Sequence, residues 1–203
     1  MLSSSNNQKV TKKYRYTEPE LVVACQKGKL KAQRELYDRY AYMMKGVCLR
    51  YARDASEAED YLQEAFLRAF RAIHSFEPNG NLGGWLRTIA VNVGLEMYRK
   101  NKAIDLRLEN YKHIQGDAID LDTAFEKMAL EDLVNKIQRL PLGYRTVFNL
   151  YAIEGYTHEE IAQQLEITSG TSKSQYSRAR ALLRQWIEEE LENEKNRMNY
   201  AKG

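Results

Sequence analysis

Five polar residues crowd the start of one helix-forming segment near the C-terminal end of the chain: Thr171, Lys173, Ser174, Gln175 and Arg178. Lysine and arginine can hydrogen-bond guanine or phosphate, and glutamine can pair with adenine. That chemistry needs a helix that offers these groups to a groove on one side and is anchored in a domain on the other. The anchor is written into the same segment. Tyr176, Ala179, Leu183, Trp186 and Ile187 recur at three- and four-residue intervals, which predicts a buried stripe. Upstream, Thr157 and Glu160 stand at capping-box spacing ahead of an apolar face of Ile161, Ala162 and Leu165. Glu166-Ile167 is short enough for a tight turn, and Thr168 is placed to cap the second helix. A capped helix, a short turn and a polar, basic second helix together predict a helix-turn-helix that reads DNA with the start of its second helix. Arg180 and Arg184 lie further along and fall to the DNA backbone or to water. On the residues alone, a solvated amphipathic helix in a bundle is the competing reading.

A second amphipathic helix is predicted within residues 58–76. Leu62, Phe66, Ala69, Phe70 and Ile73 form its apolar stripe, and Asp60, Gln63, Glu64, Arg68 and Arg71 lie off it. Pro78, Gly80, Gly83 and Gly84 break the pattern and predict a loop over residues 77–84. Another helix is expected from about Trp85 to Lys100, with Leu86, Ile89, Ala90 and Val93 inward and Asn92 and Glu96 on other faces. It ends in Arg99-Lys100-Asn101-Lys102. Such cations suit a helix C-terminus electrostatically or form a phosphate-contacting patch.

The strings DYLQEAFLRAFRAIHSF, WLRTIAVNVGLEMYRK, LPLGYRTVFNLYAIEGYTHEEIAQQL and GTSKSQYSRARALLR occur in this order. They resemble regions 2.2, 2.3–2.4 and 4 of the extracytoplasmic-function (group four) sigma factors of bacterial RNA polymerase. The resemblance covers about residues 18–102 and 123–190. It implies an all-α fold of two small helical domains joined by a flexible linker. The expected boundaries are a disordered tail over 1–16, a region 2 domain over 17–102, a linker over 103–121, a region 4 domain over 122–192 and a C-terminal tail over 193–203.

The resemblance also implies partners and roles. Asp60, Gln63, Glu64 and Arg68 match the surface that docks on the β′ clamp helices of core RNA polymerase, and the β flap is a further expected contact. Glu77, Pro78, Asn79, Gly80 and Asn81 occupy the loop that captures a base flipped from the −10 element, where extruding a base costs a few kcal/mol of stacking. Asn92 matches a DNA-facing position, Arg99 and Lys100 match phosphate contacts, and Trp85 matches a structural aromatic. Thr171, Lys173, Ser174, Gln175 and Arg178 match the readers of the −35 element. The family usually has glycine where this chain has Glu166, and a left-handed turn there would cost a glutamate roughly 1 kcal/mol. An anti-sigma factor is a possible partner.

Length and charge agree with this reading. The 203 residues suit one large or two small domains, and 3 prolines with 11 glycines suit a helical protein. The net charge of +3 is uneven: residues 1–102 carry +7 and residues 103–203 carry −4. Phosphate neutralisation dominates DNA affinity, so an acidic C-terminal half predicts weak DNA binding by itself and suits a reader tethered to a polymerase. The linker is also acidic, and Asp117, Asp120 and Asp122 are candidate mimics of nucleic acid.

The first 13 residues lack the apolar core of a signal peptide, and no run approaches the ~20 apolar residues that span a bilayer. A cytoplasmic protein without membrane insertion is expected. Cys25 and Cys48 sit in helical patterns and predict buried, reduced thiols. His74, His113 and His158 are scattered, so no metal is expected, and no phosphate loop, triad or carboxylate pair suggests a cofactor, a small-molecule substrate or enzymatic activity. A sigma-like decoy that titrates an anti-sigma factor without touching DNA is the alternative. Lys173, Arg178 and Arg180 weigh against it, because a decoy has no use for DNA-facing cations.

Overall fold

A computed structural model describes residues 14–105 and 130–200, and the described residues are helices and their connections. The N-terminal domain contains α1 (Glu18–Gln26), α2 (Leu30–Tyr51), α3 (Ala55–Ala72) and α4 (Leu82–Asp105), with a 3₁₀ turn at Ile73–Ser75. The C-terminal domain contains α5 (Leu130–Arg139), α6 (Leu142–Phe148), a π-helical turn (Asn149–Ile153), α7 (His158–Leu165) and α8 (Ser169–Tyr200). Asp117 and Asp120 of the expected linker and Asp122 just after it lie outside the described residues, as do residues 1–13.

Local chemistry sets the helix starts. Thr17 and Glu20 close a capping box at α1, and the Asp54 side chain accepts from the Glu57 amide at α3. Helices α2, α3 and α4 then pack around Leu36, Met44, Val47, Tyr51, Leu62, Phe66, Leu86, Ala90 and Val93, all buried. Gly94 lets α4 close on α2, because a Cβ there would lie 2.6 Å from the Tyr51 ring. Phe70 and Ile89, expected inward, are half-buried at the edge of this core. Cys25 and Cys48 are buried and free, and burial pushes their thiols up to about 11 and about 12, so almost no thiolate exists near neutral pH.

Several expected boundaries move. Helix α4 starts at Leu82, so Gly83 and Gly84 lie inside it rather than in the loop. The reason is Asn81, whose Oδ1 accepts from the Gly84 amide at 2.8 Å and caps the helix three residues early. The other end of α4 continues to Asp105. Residues 14–16 are held in place: the Arg15 and Tyr16 amides donate to Glu35, and the Arg39 guanidinium lies 4.2 Å from the Tyr14 ring centroid. Helix α8 runs on to Tyr200 into the expected tail, where residues 193–200 (NEKNRMNY) hold no Gly or Pro to stop it.

The two domains dock. Val147 and Leu150, together with Ile161 and Leu165 of α7, belong to the same buried apolar cluster as the N-terminal helices. A second cluster of Ile137, Leu140, Tyr144, Phe148, Ala179, Leu182 and Leu183 holds α5, α6 and α8 together.

Candidate nucleic-acid interface

The helix-turn-helix forms on the signals read from the sequence. The Thr157 hydroxyl accepts from the Glu160 amide, the Glu160 carboxylate accepts from the Thr157 amide at 2.7 Å, and α7 starts there. Helix α7 ends on Glu166 with φ 54 and ψ 50, the left-handed conformation that favours glycine. The amide of Ile167 then reaches back to the Ala162 carbonyl at 3.1 Å. Thr168 caps α8 by accepting from the Thr171 amide at 3.0 Å.

Burial of Ala179, Leu183 and Ile187, with Tyr176 and Trp186 against the second cluster, fixes how α8 faces. Its outer stripe is Gly170, Lys173, Ser174, Ser177 and Arg178, all exposed, with Ala181 half-buried on the same line. Lys173, Ser174 and Arg178 therefore stand where the sequence places them. Thr171 is half-buried, and its hydroxyl lies 2.8 Å from that of Thr168, so it serves the cap first. Ser177 and Gly170 were missed as outer-face residues, although their spacing from Ser174 carries the signal.

Gln175 is a correction. Only 9% of it is exposed, and its amide group covers Gly143 of α6. It lies about a quarter-turn from Ser174, on the border of the apolar stripe, and the missing Gly143 side chain leaves room for it to fold inward. In this conformation its side chain packs over Gly143 instead of standing on the outer stripe.

Beside the start of α8, the His158 imidazole stacks on Tyr151, with ring centroids 4.2 Å apart, and its Nδ1 lies 2.9 Å from the Ser172 hydroxyl. Burial and the neighbouring Lys173 push its pKa down.

The −10 residues are arranged differently. Glu77 to Gly80 form a tight turn closed by the Gly80 amide on the Glu77 carbonyl at 2.9 Å. Gly80 sits against the Phe76 ring, where a Cβ would come within 2.9 Å, and Phe76 packs on Trp85 with centroids 4.8 Å apart. Trp85 is structural, as expected. Pro78 is half-buried in the turn, and Asn81 is occupied as the α4 cap. The side chains of Glu77 and Asn79 are exposed. Asn92, Arg99 and Lys100 are exposed on α4. Lys100 pairs with Glu96 at 3.0 Å, and Arg99 donates to the Gln164 carbonyl of α7 at 2.9 Å.

On α3, Asp60, Gln63 and Leu67 make an exposed stripe with Glu64 half-buried beside it. Leu67 is 51% exposed and was missed because the sequence offers apolar residues as core. Arg68 bridges Glu64 at 2.6 Å and Glu96 of α4 at 2.7 Å. Arg68 and Lys100 together hold the Glu96 carboxylate down to about 2. Arg68 thus ties α3 to α4 as well as facing outward. Among the described residues no group of His, Cys, Asp and Glu could hold a metal, and no helix is long and apolar enough to cross a membrane.

The described residues form two helical domains, the second carrying a helix-turn-helix. The family model for Sigma-70 region 2 matches residues 36–104, and that for Sigma-70, region 4 matches residues 130–183. The RNA polymerase sigma-H factor of Pseudomonas aeruginosa is 31% identical over 174 residues, covering 80% of this chain and 90% of that protein. The ECF RNA polymerase sigma factor SigW of Bacillus subtilis is 33% identical over 171 residues, covering 79% of this chain and 91% of that one. Among solved structures, an engineered region 2 of sigmaE in complex with GTAAAA is 34% identical, covering 48% of this chain and 98% of that one with a TM-score of 0.42. The chain belongs to the extracytoplasmic-function group of the sigma-70 family. It is an alternative sigma factor that binds RNA polymerase and directs promoter-specific transcription initiation.

Proposed function

We propose that this sigma factor works through three surfaces. The outer stripe of α8, centred on Lys173, Ser174, Ser177 and Arg178, enters the major groove of the −35 element. The Glu77–Asn79 edge of the loop before α4 receives a flipped base of the −10 element, while Asn92, Arg99 and Lys100 follow the strand backbone. Asp60, Gln63 and Glu64, with Leu67 among them, dock on the β′ clamp helices, and the C-terminal domain meets the β flap. The observation that carries this reading is the α8 stripe. Its cations and hydroxyls stand exposed on one line while the opposite side of the helix is locked into the second apolar cluster. A decoy that only titrates an anti-sigma factor gains nothing from such a line. The boundaries of work follow the fold: residues up to Asp105 serve the −10 element and core, and those from Leu130 serve the −35 element. As a factor acting on transcription the protein works in the cytoplasm, and binding energy alone, without chemistry of its own, opens the promoter.

The test is transcription by bacterial core polymerase on a genomic promoter library, with and without the purified protein, reading start sites. Starts that share a −35/−10 pair and depend on the protein are expected; none would remove the proposal. Charge reversal at Asp60 should weaken core binding and leave helicity unchanged, and wild-type affinity would displace the clamp surface from α3.

A further inference from the structure

One stretch of the N-terminal domain concentrates charge that the three proposed surfaces leave unused. Residues 27–34, KGKLKAQR, hold four cations and no acid. Lys27, Lys29, Lys31 and Arg34 are all exposed, and none of them takes part in an ion pair among the described residues.

The fold places these cations beside the −10 loop. Helix α1 ends at Gln26, whose Nε2 donates to the Ile73 carbonyl at 3.0 Å and to the Phe76 carbonyl at 2.9 Å. One side chain thus pins the end of α1 to the turn after α3 and to the residue just before Glu77. Gly28, at a φ of +68, then reverses the chain into α2, and Lys27 and Lys29 flank it. Arg71 and His74, both exposed, lie within two residues of Ile73 and belong to the same junction. Lys31 and Arg34 extend the positive field along the first turns of α2.

Folding does not account for this charge. The start of α2 has no side-chain cap and no acid in its first turn, and Lys29 occupies the cap position itself. A helix N-terminus disfavours cations and is best capped by Asp, Asn, Ser or Thr. Glu35, the next acid along the chain, is taken up by the Arg39 guanidinium and by the Arg15 and Tyr16 amides. The domain therefore keeps an unneutralised field at the expense of its own helix.

The position of that field picks out its ligand. On the proposed −10 surface, Asn92, Arg99 and Lys100 follow the strand along α4, and the loop receives the flipped base. Helix α4 bounds the loop on one side, and the junction pinned by Gln26 bounds it on the other. A single strand that lies along α4 and gives up a base at the loop leaves the domain across that junction. Lysine and arginine hold the phosphates of such a strand whatever its base sequence. The C-terminal domain does not cover the junction. It packs at the far end of α2, where Gln138 and Asn149 donate to the Leu49 and Arg50 carbonyls, roughly 27 Å along the helix from Lys31.

We propose that Lys27, Lys29, Lys31 and Arg34, with Arg71 and His74, form a track for the unpaired non-template strand just downstream of the −10 element and hold its phosphates as the promoter opens. The track rests on the sigma-factor reading, and its test separates the two. Holoenzyme is assembled from core polymerase and the full chain. Two single-stranded non-template oligonucleotides carry the −10 element of a promoter mapped by transcription. One ends with the element, and the other runs six nucleotides further downstream. Wild-type holoenzyme should bind the longer one about fivefold or more tightly. Lys29→Asp reverses a charge and supplies the missing cap, so thermal stability should hold or rise while the gain from the extension falls at least about twofold. The triple variant Lys27→Gln, Lys29→Asp, Lys31→Gln should abolish the gain and lower the salt slope for the longer strand by about 2, at ~0.7 per phosphate contact. A wild type without the gain, a triple variant that keeps it, or equal losses on both oligonucleotides would each overturn the track. Weaker binding of the triple variant to core without DNA would also overturn it and assign the patch to a polymerase surface. Wild-type holoenzyme that binds neither oligonucleotide and starts no transcription would instead strike the sigma-factor reading.

Discussion

The proposed −35 and −10 surfaces are built from similar residue types, yet their side chains serve the local backbone differently. On α8, Lys173, Ser174, Ser177 and Arg178 stand exposed in the first turns after the Thr168 cap. In the loop before α4, the backbone itself needs partners, and it takes them from the nearest side chains. Asn81 is spent on the Gly84 amide, and Pro78 and Gly80 shape the turn against Phe76. Thr171 shows the same rule at the start of α8, where its hydroxyl is shared with the cap. Short polar side chains near a chain reversal are recruited by local backbone first. One turn further into α8, the Ser174 hydroxyl donates to the Thr171 carbonyl at 3.0 Å and Arg178 to the Tyr144 hydroxyl at 3.4 Å.

The sharpest test of this contrast lies on α8. Lys173→Ala and Arg178→Ala should each lose about 1–3 kcal/mol of −35 recognition, measured as transcription from promoters with matched and altered −35 sequences. Gln175→Ala should leave base preference as it is and lower thermal stability, because its amide packs over Gly143. A changed base preference in Gln175→Ala would return that residue to the groove.

Within the loop, the two asparagines should part company. Asn81→Ala removes a helix cap and should cost about 1 kcal/mol in chemical denaturation. Asn79→Ala should stay within about 0.5 kcal/mol of wild type while reducing open-complex formation. Equal stability losses for both would show that the turn, and not a base, uses Asn79.

The turn between α7 and α8 gives a smaller effect of opposite sign. Glu166→Gly relieves a left-handed glutamate worth about 1–2 kcal/mol, but glycine gives back about 0.4–1 kcal/mol through the unfolded chain. A net gain of up to about 1 kcal/mol in unfolding free energy is expected. A loss would mean that the Glu166 side chain contributes more than its backbone strain removes.

The smallest effect is the pH dependence of the α3–α4 tie. Arg68 and Lys100 hold the Glu96 carboxylate at about 2, below its unfolded value of ~4.3. A depressed carboxylate stabilises the fold fully above the unfolded value and loses that contribution as pH falls toward the folded one. The pair is partly exposed, so solvent screening keeps the effect small. The stability difference between wild type and Glu96→Gln should shrink between pH 4.5 and about 2, read by thermal unfolding. A constant difference over that range would place the Glu96 contribution in packing instead of charge.

Much of the helix-turn-helix was legible because its signals are local. The capping box at Thr157 and Glu160, the Thr168 cap and the left-handed Glu166 all involve residues within a few positions of each other. The stripe spacing on α3 and α8 was legible for the same reason. What escaped were side chains whose fate depends on a distant neighbour. Gln175 turns inward because residue 143, on another helix, has no side chain. Leu67 stays outside because no helix among the described residues covers that flank of α3. Helix α4 begins early because Asn81 prefers the helix amide to the solvent.

The sequence by itself determined the helices, their caps, the family and the residue types available to DNA and to polymerase, since periodicity and capping act over one or two turns. Only the tertiary structure decided that the domains dock, that Glu154 sits between Arg50 and Arg87, and that the C-terminal domain caps the end of α2. The physical reason is range. Glu154 and its partners are separated by 104 and 67 residues, and no periodic pattern links charges so far apart. Their meeting is set by two apolar surfaces that must be covered together, which brings the charges into one buried site.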